Sequence, residues 1–389
     1  MFIDYRIDAT DLDYFRTHIA FVNHVRLPQD AQVYVLITRQ ATGAGGAQYT
    51  LGIIGRGEFE GNADTLRYVA SPASTQDERR EGLTRMITLG LARYVARTPL
   101  ADRLTIGFDT TGTAGEVPPP ARDPWNSWVF RLAANSYLHG EKSSHSLALS
   151  SSVSANRTTE TWKLAFVASG GYSRNTYQLD DTTTVVSENH NYGLRSLVVR
   201  SVGRHWGIGA TASANSATFF NQDLALRAAP AVEYNVFPYS ESTWRLLSIR
   251  YAVGLAYFTY HDVTIYNRTS ETRPQQVLTV AMDVRQPWGT AGGSLEGATY
   301  LNDWSRNHLD LNGSLDLRVF RGLSLSLYGG AALIHDQLYL PRAGATAEEV
   351  LTQQRQLATS YRYSGAIGLS YTFGSIFNNI VNPRFGQYF

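Results

Sequence analysis

Between Trp125 and Phe373, large apolar residues alternate with small or polar ones in segment after segment, with turn chemistry between them. In Tyr361–Phe373 the odd positions are mostly large and apolar, whereas the even positions are Arg, Ser, Ala, Gly, Ser and Thr. Successive strand side chains point to opposite faces, so such a segment has one apolar and one polar face. Strands are predicted at roughly 125–139, 144–156, 161–175, 189–202, 205–219, 223–236, 245–260, 275–286, 290–301, 307–320, 323–335 and 360–373. A dozen alternating segments predict a closed, antiparallel transmembrane β-barrel.

The connections orient it. Every second one is short: Arg157–Glu160, Gly203-Arg204, Pro238–Thr243, Pro287–Thr290 and Arg321-Gly322. The others include the longer Gln178–Glu188, Asp262–Pro274 and Asp336–Thr359. Bacterial barrels have short periplasmic turns and long extracellular loops, which places both ends of the chain in the periplasm. Trp125, Trp128, Trp162, Trp206, Trp244 and Trp288 fall near strand ends on the short-turn side, as a girdle at headgroup depth would. Only Trp304 falls on the other side.

Residues 1–109 change pattern. Phe2–Tyr5 suggests a short strand, and Asp8 or Thr10 begins a helix expected to reach Val25. Gln32–Thr38 and Gln48–Gly55 form a hairpin across Gly43–Gly46, and Thr65–Ala70 and Leu104–Phe108 are further strands. Ser74 or Thr75 caps a long helix with Asp77, Glu78 and Glu81 in its first turns. The expectation is a small α/β (α+β) soluble domain over 1–109, a Gly/Pro-rich linker over 110–124, a barrel over 125–373 and a tail over 374–389.

Composition adds limits. The 389 residues carry a net charge of +1 and no cysteine, so nucleic acid is not an expected partner, and disulfides and cysteine chemistry are excluded. No run of about eighteen apolar residues occurs, which excludes a helical span. The start, Met1-Phe2-Ile3-Asp4-Tyr5, lacks the features of an export signal, so a mature or trimmed chain is expected.

If the Leu and Tyr positions face lipid, the other register faces the lumen. It carries Arg131, Lys163, Arg195, Arg227, Glu233, Arg250, Asp283, Arg285, Glu296, Asp310, Asp316, Arg318 and Arg362, eight basic and five acidic residues. Two interiors fit: an ion-pair network filling a narrow barrel, or a water-filled pore mildly favouring anions. Chemistry elsewhere is thin. His139, Ser143, Ser144 and His145 do not make a convincing lipase pair, and Asp180-Asp181 is weak as a cation site. His190, His205, His261, His308 and His335 lack metal-ligand spacing, so no metal or cofactor is expected. Ala345–Leu357, rich in Ala, Glu and Gln, favours a helix in the last loop.

The barrel half resembles outer-membrane β-barrel proteins of Gram-negative-type bacteria. Leu369-Ser370-Tyr371-Thr372-Phe373 is similar to their C-terminal strand ending in an aromatic, although here Gly374–Phe389 follow it. With Phe21-Val22-Asn23, the Ala31–Thr38 strand and Tyr371–Asn379, the whole chain resembles an uncharacterised family that pairs a small periplasmic domain with such a barrel. That resemblance carries over no activity and no site residues. The expected function is a non-enzymatic outer-membrane channel, porin-like, or the membrane anchor of a cell-envelope assembly. Its partners would be outer-membrane lipid and periplasmic or envelope proteins bound through residues 1–109 and the tail. The alternatives are a lipase-like membrane enzyme and a secretion or assembly component.

Overall fold

The computed structural model describes residues 1–5, 9–42, 46–105, 123–178, 182–344, 355–377 and 379. The linker 110–122, the Gly43–Gly45 turn, Asp180-Asp181, residues 106–108 of the fifth expected strand, most of the expected loop helix and nearly all of the tail past Phe377 lie outside the described residues.

In the first domain, β1 (Phe2–Asp4), β2 (Val33–Ala41), β3 (Ala47–Gly55) and β4 (Ala63–Ala70) form a sheet in sequence order, with β1 parallel to β2 and the rest antiparallel. Helices α1 (Ala9–His18) and α2 (Gln76–Val95) cover one face. Thr75 caps α2 in a full capping box with Glu78, as the Thr-x-x-Glu spacing predicts. Leu83, Ile87 and Leu91 lie buried against Phe15, Val35, Ile37, Leu51 and Ile53. Gly90 lets helix and sheet touch: a Cβ there would sit 1.8 Å from Ile53 Cδ1.

Helix α1 stops at His18, short of the expected Val25. Residues 24–26 are drawn into extended pairing with the C-terminal segment instead. Val25 bridges Phe377, Arg26 N–H donates to Ile376 O at 2.8 Å, and His24 N–H donates to Asn379 Oδ1 at 2.6 Å. The neutral His24 ring donates from Nε2 to Ile19 O at 3.0 Å. Burial holds its pKa below the ordinary 6.5. Below pH 6.5 the unfolded chain therefore takes up a proton that the folded one refuses, so stability falls with acid there and is unaffected above. Thermal melts of this domain in the full chain are expected to lose Tm between pH 6.5 and 5, with a smaller loss in His24→Gln. Equal slopes in both proteins would remove His24 as the cause.

The second domain is a single antiparallel meander. Its strands are β5 (Trp128–Gly140), β6 (Ser144–Thr158), β7 (Trp162–Gln178), β8 (Thr184–Val202), β9 (Trp206–Ala217), β10 (Gln222–Asn235), β11 (Arg245–Tyr260), β12 (Ser270–Gln286), β13 (Gly289–Tyr300), β14 (Asp303–Phe320), β15 (Leu323–Ile334) and β16 (Tyr361–Tyr371). The sheet is twelve-stranded, and each strand pairs with the next. The first strand begins at Trp128 rather than Trp125 because Asp123 accepts from the backbone N–H groups of Trp125 and Ser127 and folds that stretch into a turn.

The ladder is strongly staggered. From Tyr361 at the start of β16, the cross-strand partners run Leu333, Leu309, Gly297, Leu278, Tyr251, Val232, Ile208 and Arg200 to Trp162 at the start of β7. One line perpendicular to the strands thus crosses the full height of the sheet, the shear a barrel requires. Among the described residues, no register joins β5 to β16. The ladder has a seam there, and every residue of β16 is exposed.

Candidate functional site

The registers sort the side chains. One face carries Leu132, Leu194, Ile208, Leu255, Leu309 and Ile367, all well exposed. Its Arg, Lys, Asp and Glu lie near strand ends, as with Arg157, Arg174, Glu188, Arg200 and Arg245. The other face carries Arg131, Lys163, Arg195, Arg227, Glu233, Arg250, Asp283, Arg285, Glu296, Asp310, Asp316, Arg318 and Arg362, in one register around the sheet. This second face is the lumen. The last loop and the first domain both pack onto it.

The charges divide between two walls. On β12–β16 they neutralise one another: Arg285 pairs with Asp283 at 3.1 Å, Arg362 with Asp310 at 3.1 Å, and His308 with Asp336 at 2.7 Å. Asp316 accepts from Ser326 Oγ at 2.6 Å and Tyr328 Oη at 2.8 Å. On β5–β10, Arg131, Lys163, Arg195 and Arg227 make no ion pair among the described residues. Arg227 lies over the Phe258 ring at 5.1 Å, and Arg250 donates to Thr279 Oγ1 at 3.2 Å. One wall thus carries a paired network; the other carries four cations without an ion pair among the described residues, with Glu233 across the ladder from Arg250.

The lumen holds space. A cavity of about 730 Å³ lies along the paired wall beside Asp283, Ser294, Asn312, Ser314 and Tyr328. Two more, of about 410 and 590 Å³, lie along the basic wall and share Arg195, Ser213 and Arg227. Small inward residues (Ala, Ser, Gly) leave this volume unfilled.

Each end carries a cover. At the long-loop end, Leu338 of the last loop is 2 % exposed, buried among the inward residues Ala225, Ala256, Phe258, Tyr260 and Tyr300. Asn221 pins this loop: its Nδ2 donates to Tyr339 O at 2.9 Å and to Asp262 O at 3.0 Å. Asn221 takes a left-handed φ of 53°, which Asn tolerates better than most residues. At the short-turn end, the sheet face opposite the helices meets the barrel. Arg318 pairs with Asp4 at 2.8 Å and donates to Tyr34 Oη at 3.0 Å, while Tyr34 donates to Asp4. Burial pushes the Tyr34 phenol up, so it stays protonated as a donor. Arg321 adds a pair with Asp30 at 2.9 Å, and Arg285 donates to Arg39 O at 3.2 Å. A cavity of about 350 Å³ lies between Asp4, Leu36 and Thr38 on one side and Asp283, Thr290 and Asp316 on the other.

Trp244 corrects the expected girdle. A Cβ on Gly52 of β3 would sit 2.7 Å from its ring, so Trp244 packs against the first domain and not outward. Trp128, Trp162 and Trp206 lie on the apolar outer face by register. Trp125 and Trp288 are exposed in turns at that same end. The other cover residues, Leu338, Asn221, Asp4 and Tyr34, had no local signal, because their partners are distant in sequence.

The remaining candidates stay apart. His139 bonds Glu141 at 3.3 Å and lies across the ladder from Ser146, but among the described residues no hydrogen bond joins it to Ser143, Ser144 or Ser146. Among the described residues, no group of three His, Asp or Glu side chains is placed to hold a metal, and no helix is long and apolar enough to cross a membrane.

No family model and no curated protein matches the chain. Among solved structures, it is similar to the translocator domain of the autotransporter NalP from Neisseria meningitidis, at 10 % identity and a TM-score of 0.21, over 63 % of this chain and 87 % of that one.

Proposed function

We propose that this chain is a non-enzymatic outer-membrane β-barrel whose lumen is a guarded passage favouring anions. The first domain and the C-terminal segment would lie in the periplasm. The apolar outer belt, with charges confined to strand ends, supports membrane insertion, since a mid-bilayer Arg or Lys costs roughly 2–4 kcal/mol. The short turns at the end bearing the first domain support the orientation. The observation that carries the passage is the unpaired basic wall beside open cavities, between a cover at each end. A barrel built only as an anchor gains nothing from uncompensated cations in its interior.

The covers set the expected behaviour. Purified protein in planar bilayers should open rarely, and its reversal potential in a KCl gradient should indicate anion preference. Leu338→Asp places a charge in the buried apolar cluster and should expel the loop, raising open time at least tenfold. A bilayer that stays silent with both covers disabled, by Leu338→Asp and Arg318→Ala together, would reject the passage. A second reading, an anchor for an envelope assembly, has one observation behind it. Among the described residues no strand pairs with the outer edge of β4, and such an edge is a template for strand addition by a periplasmic partner.

A further inference from the structure

We propose that Arg195, Ser213 and Arg227 form a binding site for the anionic head of a single-chain amphiphile, a fatty carboxylate. The proposal rests on the reading of the lumen as a reachable passage and names what it binds.

The three residues are cross-strand partners on β8, β9 and β10, all facing inward. The two arginines are two strand spacings apart, about 10 Å between Cα atoms, so both guanidinium groups reach the space over Ser213. Neither makes an ion pair among the described residues. Arg227 is steadied over Phe258. A guanidinium fork suits a carboxylate, which it holds through charge-assisted hydrogen bonds.

The surroundings point to an amphiphile and not to a bare anion. The two basic-wall cavities meet at this row. The larger, toward the loop end, is mixed, with the amides of Asn191, Asn215 and Gln222 beside Phe220 and Tyr339. The smaller, toward the turn end, is mostly apolar on the inward face, with Ala165, Leu197, Ala229, Ala231, Ala252 and Val277, and has Thr211, Gln275 and Arg250 at its margin. At about 410 Å³ it lies within the usual range for small-molecule sites, roughly 300–1,000 Å³. A hydrated inorganic anion has no use for this apolar pocket, whereas an acyl chain running from the arginines fills it. The carboxylate would sit at the junction, its chain toward the turn end. The apolar pocket supplies the affinity and the arginines supply the orientation.

The test is calorimetric titration of the full chain in lipid nanodiscs with octanoate, 1-octanol and acetate. Octanoate is expected to bind saturably, and the other two at least tenfold more weakly. Arg195→Ala with Arg227→Ala should weaken octanoate tenfold or more, with folding confirmed by an unchanged circular-dichroism melt. Ala229→Leu, which fills the pocket and leaves the arginines, should also weaken octanoate and leave acetate unaffected. Acetate binding as tightly as octanoate, or octanoate indifferent to both sets of changes, would overturn the site. Octanoate binding in a barrel that never conducts would instead reject the passage and keep the site.

Discussion

Cysteines introduced at Asn135 and Ser364 are expected to form a disulfide within one molecule once the barrel is in lipid. The described ladder leaves β5 and β16 without partners on one side. Water satisfies such an edge, but hydrocarbon does not: each unpaired N–H or C=O there costs several kcal/mol. The two strands run antiparallel and are of similar length, 13 and 11 residues. The perpendicular line from Tyr361 reaches Trp162 and continues to the turn end of β5. Overlapping the two strands then needs a stagger of about 12–14 residues, which gives a tilt near the usual 35–45°. At that stagger Asn135 lies across from Ser364 or Ala366, both inward, at a Cα spacing a disulfide bridges. The chain has no native cysteine to confuse the outcome. Asn135 with Ser150, partners across β5 and β6, is the control that should link in any state. Cross-linked dimers in place of a faster-migrating monomer would mean that the edges join copies of the chain, and a closed monomeric barrel would be wrong.

The sequence carried the strands because lipid and lumen impose a period of two on every one of them. The expected 245–260 is β11 to the residue, and the short turns at Gly203-Arg204 and Arg321-Gly322 lie where turn chemistry placed them. β8 and β12 start earlier than expected, at Thr184 and Ser270, because their polar ends continue the ladder past the apolar band, where alternation gives no signal. The inward charges were equally legible as a face, since parity alone assigns them. Their division into a paired and an unpaired wall was not, because it depends on which strands become neighbours and on His308 meeting Asp336 from a loop. The covers were out of reach for the same reason. Leu338 sits in a loop with no periodicity, and Arg318 finds Asp4 across 314 positions of sequence. Trp244 was misplaced because proximity to a strand end does not separate a lipid-facing ring from one under a docked domain.

Arg318→Ala should release the first domain from the barrel mouth. The Asp4 and Arg318 side chains are 6 % and 13 % exposed, and Tyr34 and Phe2 enclose them. Removing the arginine takes from the buried Asp4 carboxylate the cation it pairs with across the domain boundary, and breaking a buried pair by deleting one member costs about 3–5 kcal/mol. That is more than a hundredfold in the docking equilibrium, since about 1.4 kcal/mol is tenfold. Trp244, whose ring packs against Gly52 in the docked state, should then become open to collisional quenching of its fluorescence, and bilayer openings should lengthen as the mouth clears. Arg321→Ala provides the contrast. Its side chain is 60 % exposed while Asp30 is 15 % exposed, so water can replace the lost cation more readily than at Asp4 and a smaller loss is expected. The double change Asp4→Leu with Arg318→Met removes both buried charges and should recover most of the docking, because a buried ion pair replaced whole by apolar residues of similar volume is often neutral. Equal effects of Arg318→Ala and Arg321→Ala, or no rescue by the apolar pair, would show that the domain is held by something other than this buried contact.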